Sequence, residues 1–493
     1  MATAKNSFDN KLYLKIQGEK ILERVSKFDK LYLEIGGKLF DDYHASRVFK
    51  GFEIDSKINV LYSLRSKVEI VIAINANDIQ TSKVRSDIGL SYDNDVLYMI
   101  DEFENKKLTV SSVVITQFNY QPLAVAFKEK LENLGIKTYL HYVIEDYPRS
   151  IDKTLSDEGF GKNDYIETKK PIIVITAPGP GSGKMAVCLS QLYNENIRGI
   201  KAGYAKFETF PVWNLPLKHP VNLAYEAATA DLNDINMIDP FHLEAYNTVA
   251  INYNRDIEVF PVLNELLKKI MGKQIYKSPT DMGVNVIAKC IKSDSVCSEA
   301  SKKEIVRRYY QALVDVAKDR SSEESLIKLE TIMKKVDVSK ESRTVAIEAR
   351  KLADKTKQPA VAIEYNGKII TGKTSKLMGA SSAALLNAIK KAAGIPDIKL
   401  LSEFILEPIQ ELKTVVLKGN NPRLHTDEVL LALAINSRTS EYSMKALKAI
   451  DKLKGCDVHS SVILSDVDIN TFKKLGMHLT MDPEYHSKKL YHK

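Results

Sequence analysis

Apolar residues in the first part of the chain follow two alternating spacings. Apolar-rich stretches at 28–35, 68–75, 109–116 and 137–143 read as strands, and the unbroken run Ile172-Ile173-Val174-Ile175 reads as a parallel strand buried on both faces. Between them, 57–67, 93–104 and 122–134 carry apolar residues at helical spacing, and a further helix opens at Lys184 with Met185, Val187, Leu189 and Leu192. Strands alternating with helices of this length predict βαβ units in a Rossmann-like, mostly parallel α/β sheet. Such sheets bind ligands at the carboxyl ends of their strands. Three loops fall at those ends: the polar cluster Asp41, Asp42, His44 and Arg47, the turn with Asn75, Asn77 and Asp78, and the glycine-rich stretch before Lys184. A polar insertion with Arg85 and Asp87 follows the second.

The pattern then changes. Residues 199–220 mix Tyr204, Phe207, Phe210 and Trp213 with charge and three prolines, a poor sequence for regular structure. Residues 222–242 are dense in Glu226, Asp231, Asp234, Asp239 and His242. Two readings stand: a surface excursion with solvated charges, or a wall or lid facing a substrate. Helical spacing resumes at 258–271 and dominates 298–356. Pro359 resets the pattern. A hairpin is expected around Asn366-Gly367, a strong turn signal, then a lysine-bearing loop at 372–382 and an Ala-rich helix to Ala393. Helices from Asp427 and at 443–454, a strand at 461–465 and a short last helix complete the reading. The expected division is a Rossmann-like domain at 1–255, a mainly helical region at 256–357 and a smaller α/β domain at 358–493.

Composition narrows this only slightly. With 493 residues the chain exceeds one core. The balance of 71 Lys and Arg against 63 Asp and Glu leaves a net charge of +8. That is mild over this length, and without a basic patch it disfavours nucleic acid. Four cysteines with no C-x-x-C pair are not a disulfide framework. No run of about 18 apolar residues exists, so a membrane helix is not expected and a reducing cytoplasm is the default setting. Cys456 and His459 have the spacing of half a metal site, but no second pair accompanies them.

The sharpest chemical signal is TAPGPGSGK at 176–184. Glycines let backbone N–H groups approach an anion, a helix N-terminus adds positive potential, and the lysine supplies a point charge. Against the pattern G-x-x-x-x-G-K-[ST], Pro178 stands where the first glycine belongs and Met185 where Ser or Thr would hold magnesium. Four strands also precede the loop. It reads as a phosphate cradle of Gly179, Gly181, Ser182, Gly183 and Lys184 on a Rossmann-like sheet, not as a standard P-loop. A tight turn that only packs a helix on a sheet is the alternative. Asp78 is the candidate to replace the missing magnesium ligand.

Several long strings point to a family. IGGKLFDDYHASRV, INANDI, TAPGPGSGK, YAKFETFPVWNLPLKHPVNLAYEAATADLNDINMIDPFHLEAY and NPRLHTDEVLLAL resemble the bacterial domain-of-unknown-function family 1846, also called uncharacterised protein family 0371. The resemblance runs nearly end to end. It implies a soluble bacterial protein of about this size with an α/β N-terminal region, helical material in the middle and a C-terminal α/β domain. It carries no established activity. Some relatives are labelled ATP-dependent zinc proteases, but this sequence lacks H-E-x-x-H.

The expectation is therefore a cytoplasmic enzyme that binds a nucleotide or another phosphorylated metabolite. ATP is one candidate ligand and magnesium a candidate metal. Lys206, Glu208, Asp231, Asp239 and His242 are the candidates for substrate contact and acid–base work. A non-catalytic metabolite sensor or scaffold is the competing class, and a homo-oligomer is compatible with either.

Overall fold

The computed structural model describes residues 6–85 and 89–486. Asp87 lies outside the described residues. The chain divides into two compact units: residues 1–229 with 233–301, and residues 302–493 with 230–232.

The first unit is built on a seven-stranded sheet. Its strands in chain order are β1 (Lys30–Ile35), β2 (Val68–Asn75), β3 (Val110–Phe118), β4 (Thr138–Tyr142), β5 (Ile172–Thr176), β6 (Ala202–Phe207) and β7 (Gly283–Val284). Their spatial order is β7-β6-β1-β5-β2-β3-β4, and every pairing is parallel. The expected parallel α/β sheet is thus present. β2 and β5 are buried along their whole length, as their largely apolar sequences require; the one charge in β2, Glu69, accepts from the Lys169 and Lys170 N–H groups.

From β2 the chain moves outward to β3 and β4. From β5 it moves the other way, across β1 to β6. Right-handed crossovers place the helices of the two halves on opposite faces. The helix Lys184–Ile197 buries Val187, Cys188, Leu189 and Leu192 against Tyr32, Ile173, Ile175 and Tyr204, together with Phe260, Leu263, Leu266 and Leu267 of the helix Asn254–Met271. The connections diverge between β2 and β5, so the crevice of a doubly wound sheet opens between their carboxyl ends.

Two expectations change. Residues 202–207 are not irregular: they form β6, between β1 and β7. Tyr204, Phe207 and Phe210 are core residues, not the aromatics of a lid. Gly203 is there because a Cβ would enter the ring of Phe28. The following stretch includes a helix at Pro220–Ala228 that buries Val221, Leu223, Ala224 and Ala227. An N-terminal helix, Asn10–Val25, was also not foreseen; it buries Tyr13, Gln17 and Ile21.

The second unit holds a four-stranded sheet of β8 (Ala360–Tyr365), β9 (Lys368–Lys373), β10 (Asp457–Ser460) and β11 (His478–Met481), ordered β9-β8-β10-β11. β8 and β9 form the expected hairpin, with Asn366 and Gly367 both at positive φ. The strand expected at 461–465 lies at 457–460 instead, and β11 was not expected. Val361 and Ile363 face the helix Ala380–Ala393. Ala362, on the opposite side of the pleat, faces Val345 and Ala349 of the helix Thr344–Thr356.

A buried guanidinium fastens the start of that helix to the sheet. Arg343 donates to Asp457 Oδ1 at 3.0 Å, Thr480 Oγ1 at 2.7 Å and the Val458 carbonyl at 3.1 Å. Removing one partner of a buried pair strands the other charge, which costs about 3–5 kcal/mol. Arg343→Met is therefore expected to lower the unfolding free energy by roughly that amount. Urea titration followed by far-UV circular dichroism checks this. A loss under about 1 kcal/mol would mean that Lys303 and His478, 3.6 and 3.7 Å from Asp457, hold its charge without Arg343.

Candidate functional site

The glycine-rich loop lies at the crevice between β2 and β5. Two neighbouring strands pin it from below. Asn75, at the end of β2, donates to the Gly181 carbonyl at 3.2 Å. Thr116, in β3, donates to the Ser182 carbonyl at 2.9 Å. Ser182 closes the loop on itself through Oγ to the Gly179 carbonyl at 2.8 Å, so its hydroxyl is structural. Each glycine has a distinct reason. A Cβ at Gly179 would run into the Tyr92 ring and hydroxyl. Gly181 and Gly183 hold φ of +77° and +79°, and Gly183 also sits against Thr116.

These bonds use the loop's carbonyls and leave its donors. Among the described residues, the backbone N–H groups of Gly181, Ser182, Gly183 and Lys184 donate to no protein acceptor. They stand at the N-terminus of the 14-residue helix Lys184–Ile197. The Lys184 ammonium likewise has no hydrogen bond or ion pair among the described residues. Burial pulls its pKa below the ordinary lysine value; Glu34 opposes this and Lys206 adds to it.

The second half of the site grows from β6. Lys206 Nζ lies 2.7 Å from both Glu208 Oε1 and Asp256 Oδ2. Asp256 comes from the first turn of the helix Asn254–Met271. Glu34, near the end of β1, accepts from the Tyr204 hydroxyl at 2.7 Å. Glu208 is buried beside Gly36, where a Cβ would come within 3.0 Å of its Cγ. Burial pushes its carboxyl up to about 7; Lys206 opposes the shift, and Asp256 and Glu34 add to it. One ammonium is thus shared between two carboxylates. The turn after β1 is held by Lys57, which pairs with Asp42 at 2.9 Å and donates to the Gly36 and Lys38 carbonyls.

The other sequence candidates fall elsewhere. Asp239 is fully buried and caps the helix Pro240–Tyr246; its oxygens accept from the His242 N–H and from Thr280 Oγ1 at 2.6 Å. His242 Nδ1 meets Ser278 Oγ at 3.0 Å and its ring packs on Tyr246. These two residues fasten the helix Pro240–Tyr246 to the turn Pro279–Met282 in a cluster separate from the Lys206–Glu208 hydrogen bonds. Asp231 is exposed and belongs to the second unit. Asp78 pairs with Lys83 at 3.1 Å through Oδ1, while its Oδ2 is buried without a hydrogen-bond partner.

Sequence reading missed Glu34 and Asp256. Glu34 left a signal, a carboxylate inside the apolar run KLYLEI. Asp256 left none beyond its place near a helix start. Among the described residues, no group of three or more His, Cys, Asp or Glu is arranged to hold a metal ion, and no helix is long and apolar enough to cross a membrane.

A carboxyl that keeps its proton longer in the folded state is most stabilising below its unfolded pKa. That stability is lost as pH rises from the unfolded value toward the folded one. Wild type is therefore expected to lose up to ~1.4 kcal/mol per pH unit relative to Glu208→Gln between about pH 5 and 7. Urea unfolding of both proteins across that window measures it. Parallel curves would mean that Glu208 ionises at its ordinary pH.

Comparison with known proteins closes the question of kinship. Residues 6–337 match the family model described as "Domain of unknown function DUF1846, N-terminal", and residues 341–491 match its C-terminal counterpart. A UPF0371 protein of Streptococcus pyogenes serotype M5 (strain Manfredo) is 54% identical over 490 residues, covering 99% of both chains. One of Streptococcus thermophilus (strain CNRZ 1066) is 53% identical over 492 residues, covering 99% of this chain and all of the relative. With both halves matched in order and the relatives aligned from end to end, the chain belongs to the DUF1846 family, that of the UPF0371 proteins.

Proposed function

We propose that this protein is an enzyme acting on a small phosphorylated molecule held by the loop from Gly179 to Lys184. The observation that carries the reading is the set of unengaged donors. Four consecutive backbone N–H groups and the Lys184 ammonium gather at a helix N-terminus, at the switch point of a parallel sheet. Donors in such a place favour a phosphate or another compact anion.

Lys184 neutralises the phosphate charge. Glu208, whose carboxyl burial pushes up to about 7, is the group suited to give or take a proton. Lys206 holds Glu208 and Asp256 in place. Asp78 offers its Oδ2 to a cation carried in with the phosphate. In phosphoryl transfer, positioning and charge neutralisation do most of the work, and these residues supply both. ATP and sugar phosphates are the ligand classes to test first. All four cysteines are free thiols, which fits a reducing cytoplasm.

Isothermal titration of ATP and of a sugar phosphate into wild type and Lys184→Ala tests the cradle. Binding by wild type, weakened at least ~tenfold in the variant, is the expected result. Equal affinity in both proteins would remove the loop from the site.

A further inference from the structure

The second unit has a small-residue loop of its own, 374–379, which joins β9 to the helix Ala380–Ala393. Gly372, near the end of β9, packs directly on that helix: a Cβ there would enter the backbone at Ala383 and Ala384. Thr374 follows two residues later. Its N–H donates to the Pro359 carbonyl at 3.0 Å, so the extended run continues through it, and it faces the same side of the pleat as Gly372. Two residues of strand cover about 6.6 Å, or roughly four residues of helix. The helix runs back along the strand, so Thr374 comes level with its first turn. Ser381 lies in that turn. It stands one turn before Ala384, on the side that faces β9. Helical side chains tilt toward the N-terminus, which directs the Ser381 hydroxyl toward the start of the helix.

Both hydroxyls are buried without a partner. Ser381 is 2% exposed and Thr374 9%. Neither hydroxyl makes a hydrogen bond among the described residues, to the other or to any third group. The N–H groups of Ala380, Ser381 and Ser382 also donate to no protein acceptor among the described residues. The residue before the helix is Gly379, which has no side chain to cap them. A Cβ at Gly379 would meet only the Leu424 carbonyl, at 3.8 Å, so there is room beside it. Ser382 differs from Ser381: its hydroxyl donates to that same carbonyl at 2.9 Å. Two cations border the loop. Lys376 lies within it, and Arg423 Nε donates to the Ser375 carbonyl at 3.0 Å. Neither has an ion pair among the described residues. Of the nearby carboxylates, Glu428 pairs with Lys413 and Asp468 with His425. Glu407, Glu411, Asp427 and Glu484 are exposed and beyond ion-pair distance of both cations.

We propose that the start of this helix is a second anion site, which binds the phosphate group of a small phosphorylated molecule. It takes no residue from the 176–184 loop and stands independently of it. Three N–H groups and two hydroxyls converge there as donors. They exceed the ~four lone-pair positions of a carboxylate and suit the three terminal oxygens of a phosphate monoester. Burial of the hydroxyls in the empty site is unfavourable, and the phosphate oxygens supply the missing partners. The helix N-terminus, Lys376 and Arg423 favour the negative charge.

Hydrogen–deuterium exchange of the full chain, with inorganic phosphate or a sugar phosphate against chloride at equal ionic strength, tests this. Phosphate is expected to slow exchange in peptides covering 380–382, and Lys184→Ala is expected to leave that protection in place. Thr374→Val and Ser381→Ala should each raise the phosphate concentration required at least ~tenfold. Ser381→Asp puts a carboxylate where the helix start favours one, so the fold is kept, as thermal melting checks, and protection is abolished. Protection at a lower concentration of sugar phosphate than of inorganic phosphate assigns the site to a phosphorylated metabolite; the reverse order assigns it to free phosphate and overturns the metabolite. Absence of protection by both anions, equal protection by chloride, or protection unchanged in Ser381→Asp overturns the site. Its loss in Lys184→Ala overturns the independence from the first loop. Peptides covering 181–184 report on that loop separately, so either reading can fail without the other.

Discussion

Parallel pairing is the constraint on which the first unit depends. Seven strands that run the same way bring all their carboxyl ends to one edge. Because β5 sits between β1 and β2, the loop after it meets Asn75 at the end of one neighbour, while the turn Gly36-Gly37 follows the other. Asn75 and Thr116 hold the loop by its carbonyls and take up none of its N–H groups. A glycine-rich loop in an antiparallel hairpin would have its donors paired across the turn. Here they meet no protein acceptor among the described residues, and the helix behind them adds positive potential.

The same edge gathers buried charge. Glu34, Lys206, Glu208 and Asp256 come from β1, from β6 and its end, and from a later helix, and only the sheet order brings them together. Removing these groups from water is unfavourable, and their pairing recovers only part of that cost. The imbalance is visible in Glu208, whose burial outweighs the help of one shared lysine. The buried charges of the second unit are arranged differently. Arg343 holds Asp457, which also faces Lys303 and His478, and Arg350 holds Asp482, which also faces His459, so neither carboxylate lacks a cationic partner. Matched pairs fasten structure; mismatched ones leave a group able to change its proton.

Legibility from the chain varied with the kind of burial. β2 was readable to the residue, because VEIVIAIN is buried on both faces and needs an apolar side chain at nearly every position. β6 was not. Its sequence, AGYAKF, contains a glycine that only Phe28 explains and a lysine that only Asp256 and Glu208 make tolerable inside a sheet. The helix Asn10–Val25 was missed for a related reason: it buries Asn10, Gln17 and Gly18, and Gln17 is satisfied by the Val284 carbonyl far along the chain. Asp239 shows the opposite error. A lone acidic residue among polar neighbours resembles a catalytic group, yet it is a helix cap buried under Thr280.

By itself, then, the sequence determined the strand–helix alternation, the glycine-rich composition of the 176–184 loop and the family. Each of these is written in local spacing or in strings of neighbouring residues. Only the tertiary structure decided which carboxylates stand near Lys184, that Lys206 is shared between two of them, and that Asp239 and His242 belong to a different cluster. It also decided that Arg423 reaches the Ser375 carbonyl, beside the start of the helix Ala380–Ala393. Those are relations between residues distant in the chain, set by strand order and helix packing. The spacing of residues along one element holds no record of them.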